Sequence, residues 1–467
     1  MITKTVNMVS VNYLQGNSIY LPYAAGALVA YAKSIPEINS NYIFNNIFFI
    51  REDTQVLAEK LRSSYLIGFS NYIWNFEYNK LLAQKCKKNN PECIILFGGH
   101  SINPDGSLLD ECPFIDFLIH GEGEEIFTKL LLTLAKDGDF QSIPNISYRD
   151  EEIKKNTPLI PVSGTDYASP YLSGCFDKTL VEYPDIDFQA ILETSRGCPY
   201  CCTYCDWGNL NSKVKKFPLE KIYADLEWFS SKKINFLMGA DSNFGLFERD
   251  EKIVDKMVEL NQISGFPKNF QTSYAKMSNE RIFRMTKKLH KSGIDKGVTI
   301  SYQSLSDFAL ENVKRDNISV EAFSDLLKKY NRDEIATYTE LIIGLPGETF
   351  DSFINGIDII LNAGQHNSIY FHNCEWLPCS EMERDEYVEK FKIKTSLIPL
   401  NQPHREQIEN DEVKEFSKIV TSTYSMSSNE WIEMNLYSVV IQCFHFYGLL
   451  QIFSLYLHNE KGIKYSD

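Results

Sequence analysis

Two apolar rhythms alternate through the first part of the chain. Runs rich in Val, Ile and Phe at residues 6–11, 42–50, 65–70, 93–97 and 114–119 read as strands, and stretches with apolar positions three and four apart at 21–34, 55–63, 78–89 and 124–136 read as helices between them. That alternation predicts βαβ units and a parallel sheet covered on both faces, a doubly wound α/β domain over residues 1–140. Turn formers dominate 141–188, which predicts a linker with short strands. From Gln189 a second series begins, with strands expected at 190–193, 236–239, 270–273, 298–302, 338–343 and 368–373 and helices at 219–231, 249–264, 279–292 and 320–331. Six such repeats over 189–395 predict a partial (β/α)6 TIM barrel, a fold that places its chemistry at the carboxyl ends of the strands. The region 396–467 reads as helical and aromatic (Trp431, Tyr437, Phe444, Phe446, Tyr447, Phe453, Tyr456), with core packing expected for those rings. Its abrupt end after a helix is read as compatible with a truncated C-terminal region.

Composition narrows the partners. Of 467 residues 43% are hydrophobic, enough for more than one core, and a net charge of −15 argues against a nucleic-acid or anionic-membrane footprint. The run from Lys213 to Lys216 reads as a solvated face. No apolar stretch has the length of a membrane span, and the N-terminus alternates like a strand rather than a signal peptide. With an odd count of 11 cysteines, these features lead to an expected cytoplasmic location.

Four of the cysteines crowd into Cys198-Pro-Tyr-Cys-Cys-Thr-Tyr-Cys205. The spacing of Cys198, Cys202 and Cys205 turns three thiolates toward one point, one fewer than the four that a cubane iron-sulfur cluster normally takes, so one iron would stay open for chemistry. Zinc is a second reading of short Cys-x2-4-Cys spacings, although no further Cys-x-x-Cys follows, and an inert packed cluster is a third. Cys201 offers a second register, Cys198, Cys201 and Cys205. In a doubly wound domain ligands sit beyond the strand ends, which here read Asn12 to Gly16, Ser70 to Asn75, Gly98 to Ile102 and Gly121 to Glu124. Gly98-Gly99 admits either a close-lying molecule or simply a tight turn, and no Gly-x-Gly-x-x-Gly fingerprint is present.

Taken with this framework, Arg196-Gly-Cys-Pro-Tyr-Cys-Cys-Thr-Tyr-Cys205 resembles the cluster motif of radical S-adenosylmethionine (SAM) enzymes, and the chain is similar to the branch with an N-terminal Rossmann-like cobalamin-binding domain. The resemblance implies a 4Fe-4S cluster on Cys198, Cys202 and Cys205, with Tyr204 against the adenine of SAM. Met238-Gly-Ala-Asp241, Ser301-Tyr-Gln-Ser304 and Ile342-Ile-Gly-Leu-Pro-Gly-Glu348 imply SAM contacts through Gly239, Asp241, Ser301, Gln303, Ile343 and Gly344. In the first domain, Leu21, Tyr72, Trp74, Gly98, Gly99, Gly121 and Glu122 match the cobalamin-binding half. An Asp-x-His-x-x-Gly motif is absent, so no histidine is offered to cobalt from below, and His100 reads as a surface or packing residue.

Such an enzyme is expected to form a 5'-deoxyadenosyl radical and to use methylcobalamin to methylate an unactivated carbon, or less often phosphorus, of a peptide or small-molecule natural product. Cyclisation or rearrangement without methyl transfer is the alternative, and a noncatalytic cobalamin or iron-sulfur sensor a further one; the segments 301–304 and 342–348 favour the enzyme. A methylthiotransferase on tRNA fits the acidic balance poorly. An external one-electron reductant such as flavodoxin or ferredoxin is implied as partner, and no catalytic residue is assigned. Asp206-Trp207-Gly208 and Lys213 are candidate cofactor contacts, whereas Cys86, Cys93 and Cys112, and also Cys374 and Cys379, are expected to be core thiols.

Overall fold

The computed structural model describes residues 4–136, 138–150, 153–207, 213–277, 280–400 and 413–466. Two compact units emerge, one of Met1–Ser195, Lys215–Met238 and Pro399–Ser417, the other of Arg196–Val214, Gly239–Ile398 and Lys418–Asp467. In the first, the strands are β1 (Lys4–Asn12), β2 (Ser18–Tyr20), β3 (Tyr42–Ile50), β4 (Leu66–Ser70), β5 (Ile94–Gly98), β6 (Phe117–Ile119), β7 (Ile146–Asp150) and β8 (Ile153–Asn156). All but β2 form one sheet in the order β3-β1-β4-β5-β6-β7-β8, parallel through β6 and antiparallel beyond it. The sheet therefore runs past residue 140, because β7 and β8 fall within the stretch expected as linker. Every residue of β4 is buried, which explains its unbroken apolar run: a strand covered on both faces has no solvent side to alternate with.

Helices pack on this sheet where the periodicity placed them, at Tyr23–Lys33, Thr54–Lys60, Phe76–Asn89 and Glu124–Ala135. Asp53 starts the second by accepting from Gln55 N and Val56 N, both at 2.9 Å. Val9, Leu57, Phe69, Leu82, Phe97 and Leu118 belong to one core cluster that also takes in Cys86, Cys93 and Cys112. Burial pushes the Cys86 and Cys93 thiols up to about 12, so these are inert core thiols. One contributor comes from far along the chain. Glu415, buried, accepts from Arg51 Nη1 (2.9 Å), from Tyr78 N (3.0 Å) and from Glu77 N (2.8 Å), so it pairs a buried guanidinium and caps the helix Phe76–Asn89 at once.

β9 (Asp187–Leu192) pairs in parallel with β2, and the short strands β10 (Ser195–Arg196) and β11 (Lys215–Lys216) flank the cysteine loop in sequence. β12 (Phe236–Phe244) passes into the second unit at Gly239 and is followed there by β13 (Asn269–Tyr274), β14 (Val298–Thr299), β15 (Thr337–Ile343) and β16 (Ile369–Asn373). The last three form a parallel sheet, and β13 approaches through a parallel bridge between Phe270 and Asp295. Helices at Arg249–Ser264, Glu280–Lys291, Val320–Arg332 and Phe350–Asn362 separate these strands; Asn279, where the second was expected to begin, lies outside the described residues.

The C-terminal helices Ser428–Ile441 and Gln451–Lys461 correct one expectation. Trp431, Tyr437 and Phe446 do pack against the core of the second unit, but Phe444, Tyr447, Phe453 and Tyr456 are exposed. Apolar side chains ring Ser428–Ile441 with little bias to one face, so only part of them can meet the core, and no residue of Gln451–Lys461 is buried. Among the described residues no single helix is long and apolar enough to cross a membrane.

Candidate functional site

The cysteine loop follows β10 and is tied into the second unit at several points. Gly197, at φ +97°, turns the chain, and its carbonyl accepts from Ser242 Oγ at 2.7 Å. Buried Thr203 donates its N–H to Val313 O (3.1 Å), accepts from Met382 N (2.9 Å) and shares a hydrogen bond with Tyr387 (2.9 Å). Cys198, Cys202 and Cys205 are half-buried and Cys201 is exposed. The N–H donors sort the four sulfurs. Asn243 Nδ2 donates to Cys198 Sγ at 3.3 Å, Lys276 Nζ to Cys202 Sγ at 3.7 Å, and the Trp207 backbone N–H to Cys205, while no donor among the described residues reaches Cys201. Burial pushes the Cys205 thiol up to about 12.

Around the loop stand the ends of β12 to β15. Tyr204 packs with Ile342 beside Leu345 and Cys374, and its hydroxyl accepts from Arg315 Nη1 at 3.3 Å. Buried Arg315 also donates to Ser301 O (2.7 Å), Tyr302 O (3.3 Å) and Asn317 Oδ1 (2.9 Å). Ser301 Oγ donates to Glu340 Oε2 at 2.5 Å. Gln303, in a left-handed conformation at φ +65°, is held between Glu340 O and Ile342 N at 2.9 and 2.8 Å, and its Oε1 is buried with no hydrogen-bond partner among the described residues. Glu348 accepts from Ser304 Oγ and Ser352 Oγ, and its burial raises its pKa. Asp241 is buried on β12, and a Cβ on Gly239 would run into Thr272. Ile343 packs its side chain into the core, and its carbonyl accepts from Cys374 N at 2.8 Å. Cys374 is a core thiol, with burial pushing it up to about 12, as expected; Cys379 is half-buried at φ +67°. Of Asp206-Trp207-Gly208, the glycine lies outside the described residues and Trp207 is exposed.

The first unit gathers its own strand-end residues. Beyond β4, Tyr72 stacks on Trp74 with ring centroids 4.4 Å apart and on His100, which follows β5, at 5.6 Å. Exposed His100 thus serves as a packing ring, the role expected of it. The shelf is braced from below by Asn71, Asn75 and Asn79, all buried, whose side chains bond to each other and to the carbonyls that end β1, β4 and β5. Gly99, at φ +113°, lies so close to this network that a Cβ would sit 2.5 Å from Asn71 O. The neighbouring pair β1 and β4 is where connections leave the sheet in opposite directions, the position at which such sheets bind ligands. Gly121 turns the chain after β6 at φ +70°, but Glu122 is taken by Lys215 at 2.5 Å, and Leu21 is a buried core residue whose N–H bonds to Gln189 O at 2.8 Å.

Residues 192–359 match the family model of the radical SAM superfamily. That stretch therefore carries a radical SAM domain. Radical SAM relatives extend the match. The chain is 32% identical over 463 residues to the cobalamin-dependent radical SAM methyltransferase TokK of Streptomyces tokunonensis, and 31% identical over 459 residues to the 2-(S-pantetheinyl)-carbapenam-3-carboxylate methyltransferase of Streptantibioticus cattleyicolor. Each alignment takes in 96% of this chain, which spans 66% of the length of either relative. In fold the chain is similar to the radical SAM methyltransferase TsrM of Kitasatospora setae, solved with tryptophan and a SAM analogue, at a TM-score of 0.68 and 14% identity, covering 92% of this chain and 89% of that one. The cobalamin-dependent radical SAM enzyme OxsB gives 0.61 and 16%, covering 83% and 56%.

The donor set fits the cluster of a radical SAM domain. Each of three thiols has an N–H aimed at it, as sulfur ligands require when they carry negative charge. Among the described residues no three His, Cys, Asp or Glu side chains close on one point tightly enough for a single ion. A zinc ion demands that closeness, with every Zn–S bond about 2.3 Å long, whereas a cubane gives each thiolate its own iron. Asn243, Lys276 and Arg315 were not singled out from the sequence. The signal available was position alone, since Asn243 lies on β12, Lys276 just past β13 and Arg315 in the connection that follows β14.

Proposed function

We propose that this chain is the cofactor-bearing part of a cobalamin-dependent radical SAM methyltransferase acting on a small natural-product intermediate. The observation that carries the reading is the pairing, in one chain, of three N–H-supported thiols at the radical SAM strand ends with an aromatic shelf at the switch point of a parallel sheet. We read β9, β12, β13, β14, β15 and β16 as the six strands of a partial barrel and the first sheet as the Rossmann-like cobalamin domain. When bound, the cluster and SAM supply a carbon-centred radical and cobalamin supplies the methyl group.

The chain's own residues have these roles in the proposal. Cys198, Cys202 and Cys205 hold the cluster, and Cys201, exposed and without a donor, does not. Tyr204, fixed by Arg315, and Gln303, with its partnerless Oε1, present aromatic and polar edges to SAM, while Gly239, Asp241, Ser301 and Gly344 shape the strand ends around it. Tyr72 and Trp74 offer stacked faces to the cobalamin ring system, and Gly98, Gly99 and Gly121 let its edge approach the backbone. Glu122 contributes by holding Lys215 rather than by touching the cofactor. The name of the second of these relatives, a carbapenam-carboxylate methyltransferase spanned to 66%, supports a small β-lactam-like acceptor over nucleic acid, and the net charge of −15 agrees. An external one-electron donor in a reducing compartment completes the system, in keeping with 11 free cysteines. Anaerobic protein given SAM, reductant, cobalamin and a carbapenam-type acceptor is expected to yield 5'-deoxyadenosine and methylated product. Protein that binds no cobalamin, or that forms neither product with its genuine acceptor, refutes the proposal.

A further inference from the structure

We propose that Lys276 is a positioning residue that sets the reduction potential of the cluster held by the cysteine loop. The inference rests on the cluster reading above and goes beyond it, because Lys276 is neither a ligand nor part of the radical SAM motifs.

Lys276 stands just past the end of β13, half-buried, with two partners: Cys202 Sγ, 3.7 Å from its Nζ, and the face of Tyr200, whose centroid lies 3.6 Å away. No carboxylate among the described residues lies within ion-pair distance of it. A half-buried ammonium without a counter-carboxylate is costly unless something else nearby carries negative charge. Thiolates on a cluster are that charge. Tyr200, inside the cysteine loop, holds the ammonium against the sulfur by a cation–π contact.

The second cation of the region behaves differently. Arg315 has donors engaged by Ser301 O, Tyr302 O, Asn317 Oδ1 and Tyr204, and none of these bonds goes to a sulfur. Asn243 does donate to Cys198 Sγ but brings no charge. Lys276 is therefore the side chain that combines charge with an N–H···S bond. Cluster potentials depend on net charge and on hydrogen bonds to the sulfurs. One electron arriving from an external donor leaves the cluster more negative and the donor oxidised, so a fixed cation at a ligand sulfur favours the reduced form.

The test uses the full chain, reconstituted anaerobically with iron and sulfide and poised at a series of potentials with dithionite and mediators, without SAM. Electron paramagnetic resonance counts the reduced cluster and iron analysis counts the assembled one. Lys276→Met is expected to keep its iron and to lower the ratio of reduced to oxidised cluster about tenfold at a fixed potential, a fall of about 59 mV in the one-electron midpoint. Lys276→Gln, which keeps a donor without the charge, is expected to fall in the same direction by less, and Lys276→Arg to stay near the parent value. Met and Gln variants with the parent midpoint overturn the proposal. So does a series in which Met and Gln variants hold no iron while Arg holds a full complement, since Lys276 would then serve only to fold the loop. A parent chain that assembles no cluster overturns the cluster reading itself, a result distinct from both.

Discussion

Neighbouring glycines at the end of β5 should respond to the same substitution in opposite ways. At Gly98 an added Cβ would lie 3.6 Å from Ile119 Cβ and O, ordinary van der Waals contact in a strand. At Gly99 it would lie 2.5 Å from Asn71 O and 2.8 Å from Asn71 N, with φ at +113°, where L side chains are strained. The strain alone costs about 1–3 kcal/mol. Relief requires Asn71 to move, and its N–H to Gly98 O (2.8 Å), its carbonyl to Ser101 N (3.2 Å) and its side-chain bond from Asn79 (2.9 Å) all depend on its place. Leaving one of these buried groups unpaired adds about 1–3 kcal/mol, for a total of about 2–6 kcal/mol. Gly98→Ala should stay within about 1 kcal/mol of the parent. Because two units need not unfold together, hydrogen exchange read by mass spectrometry on peptides spanning 66–79 and 94–102 is the suitable assay. The lower bound of 2 kcal/mol corresponds to roughly 30-fold faster exchange in Gly99→Ala. Cobalamin titration followed by visible absorption should show weakened binding in Gly99→Ala. Equal exchange in the two variants would refute the argument that backbone proximity at Gly99 organises this shelf.

Three further outcomes follow from the same contacts. Cys201→Ala is expected to retain the iron of the parent protein and Cys202→Ala to lose cluster, measured as iron per chain and by visible absorption; the reverse pattern would establish the other register. Glu415→Ala strands Arg51 and uncaps the helix Phe76–Asn89, so a loss of about 3–5 kcal/mol is expected by urea denaturation of the first-unit signal, with Arg51→Met in the same background costing little more. His366 Nδ1 and His445 Nε2 lie 3.0 Å apart where the C-terminal helices meet the second unit, and burial lowers both, His445 to about 4. Since these folded-state pKa values lie below the ordinary histidine value, the unfolded chain binds more protons between about 6.5 and 4. Stability from the pair is thus present at neutral pH and lost as pH falls through that window, which faster exchange in peptides from 428–461 should report and His445→Gln should flatten.

What could be read from sequence was what is local, and the missing parts are those made by distant residues. The strand β4 announced itself as the apolar run Leu66 to Phe69, and the cysteine spacing is complete within eight positions, so neither needed tertiary information. The choice between Cys201 and Cys202 did, because adjacent positions in a loop have the same spacing arithmetic and differ only in which one Lys276, 74 residues away, can reach. Glu415 is the extreme case, 364 residues from Arg51 and hidden in a segment with no apolar rhythm of its own. Strand-end position was the signal not exploited to its limit. The rule that parallel sheets work at their carboxyl ends was applied to motifs that match a family, yet it applies equally to a solitary polar residue. Lys276, which follows the strand expected at 270–273 by three residues, is such a residue. The aromatic tail failed for the opposite reason: with apolar residues on all sides of Ser428–Ile441, periodicity carries no face to choose there, and only packing could separate Phe446 against the core from Phe453 in solvent.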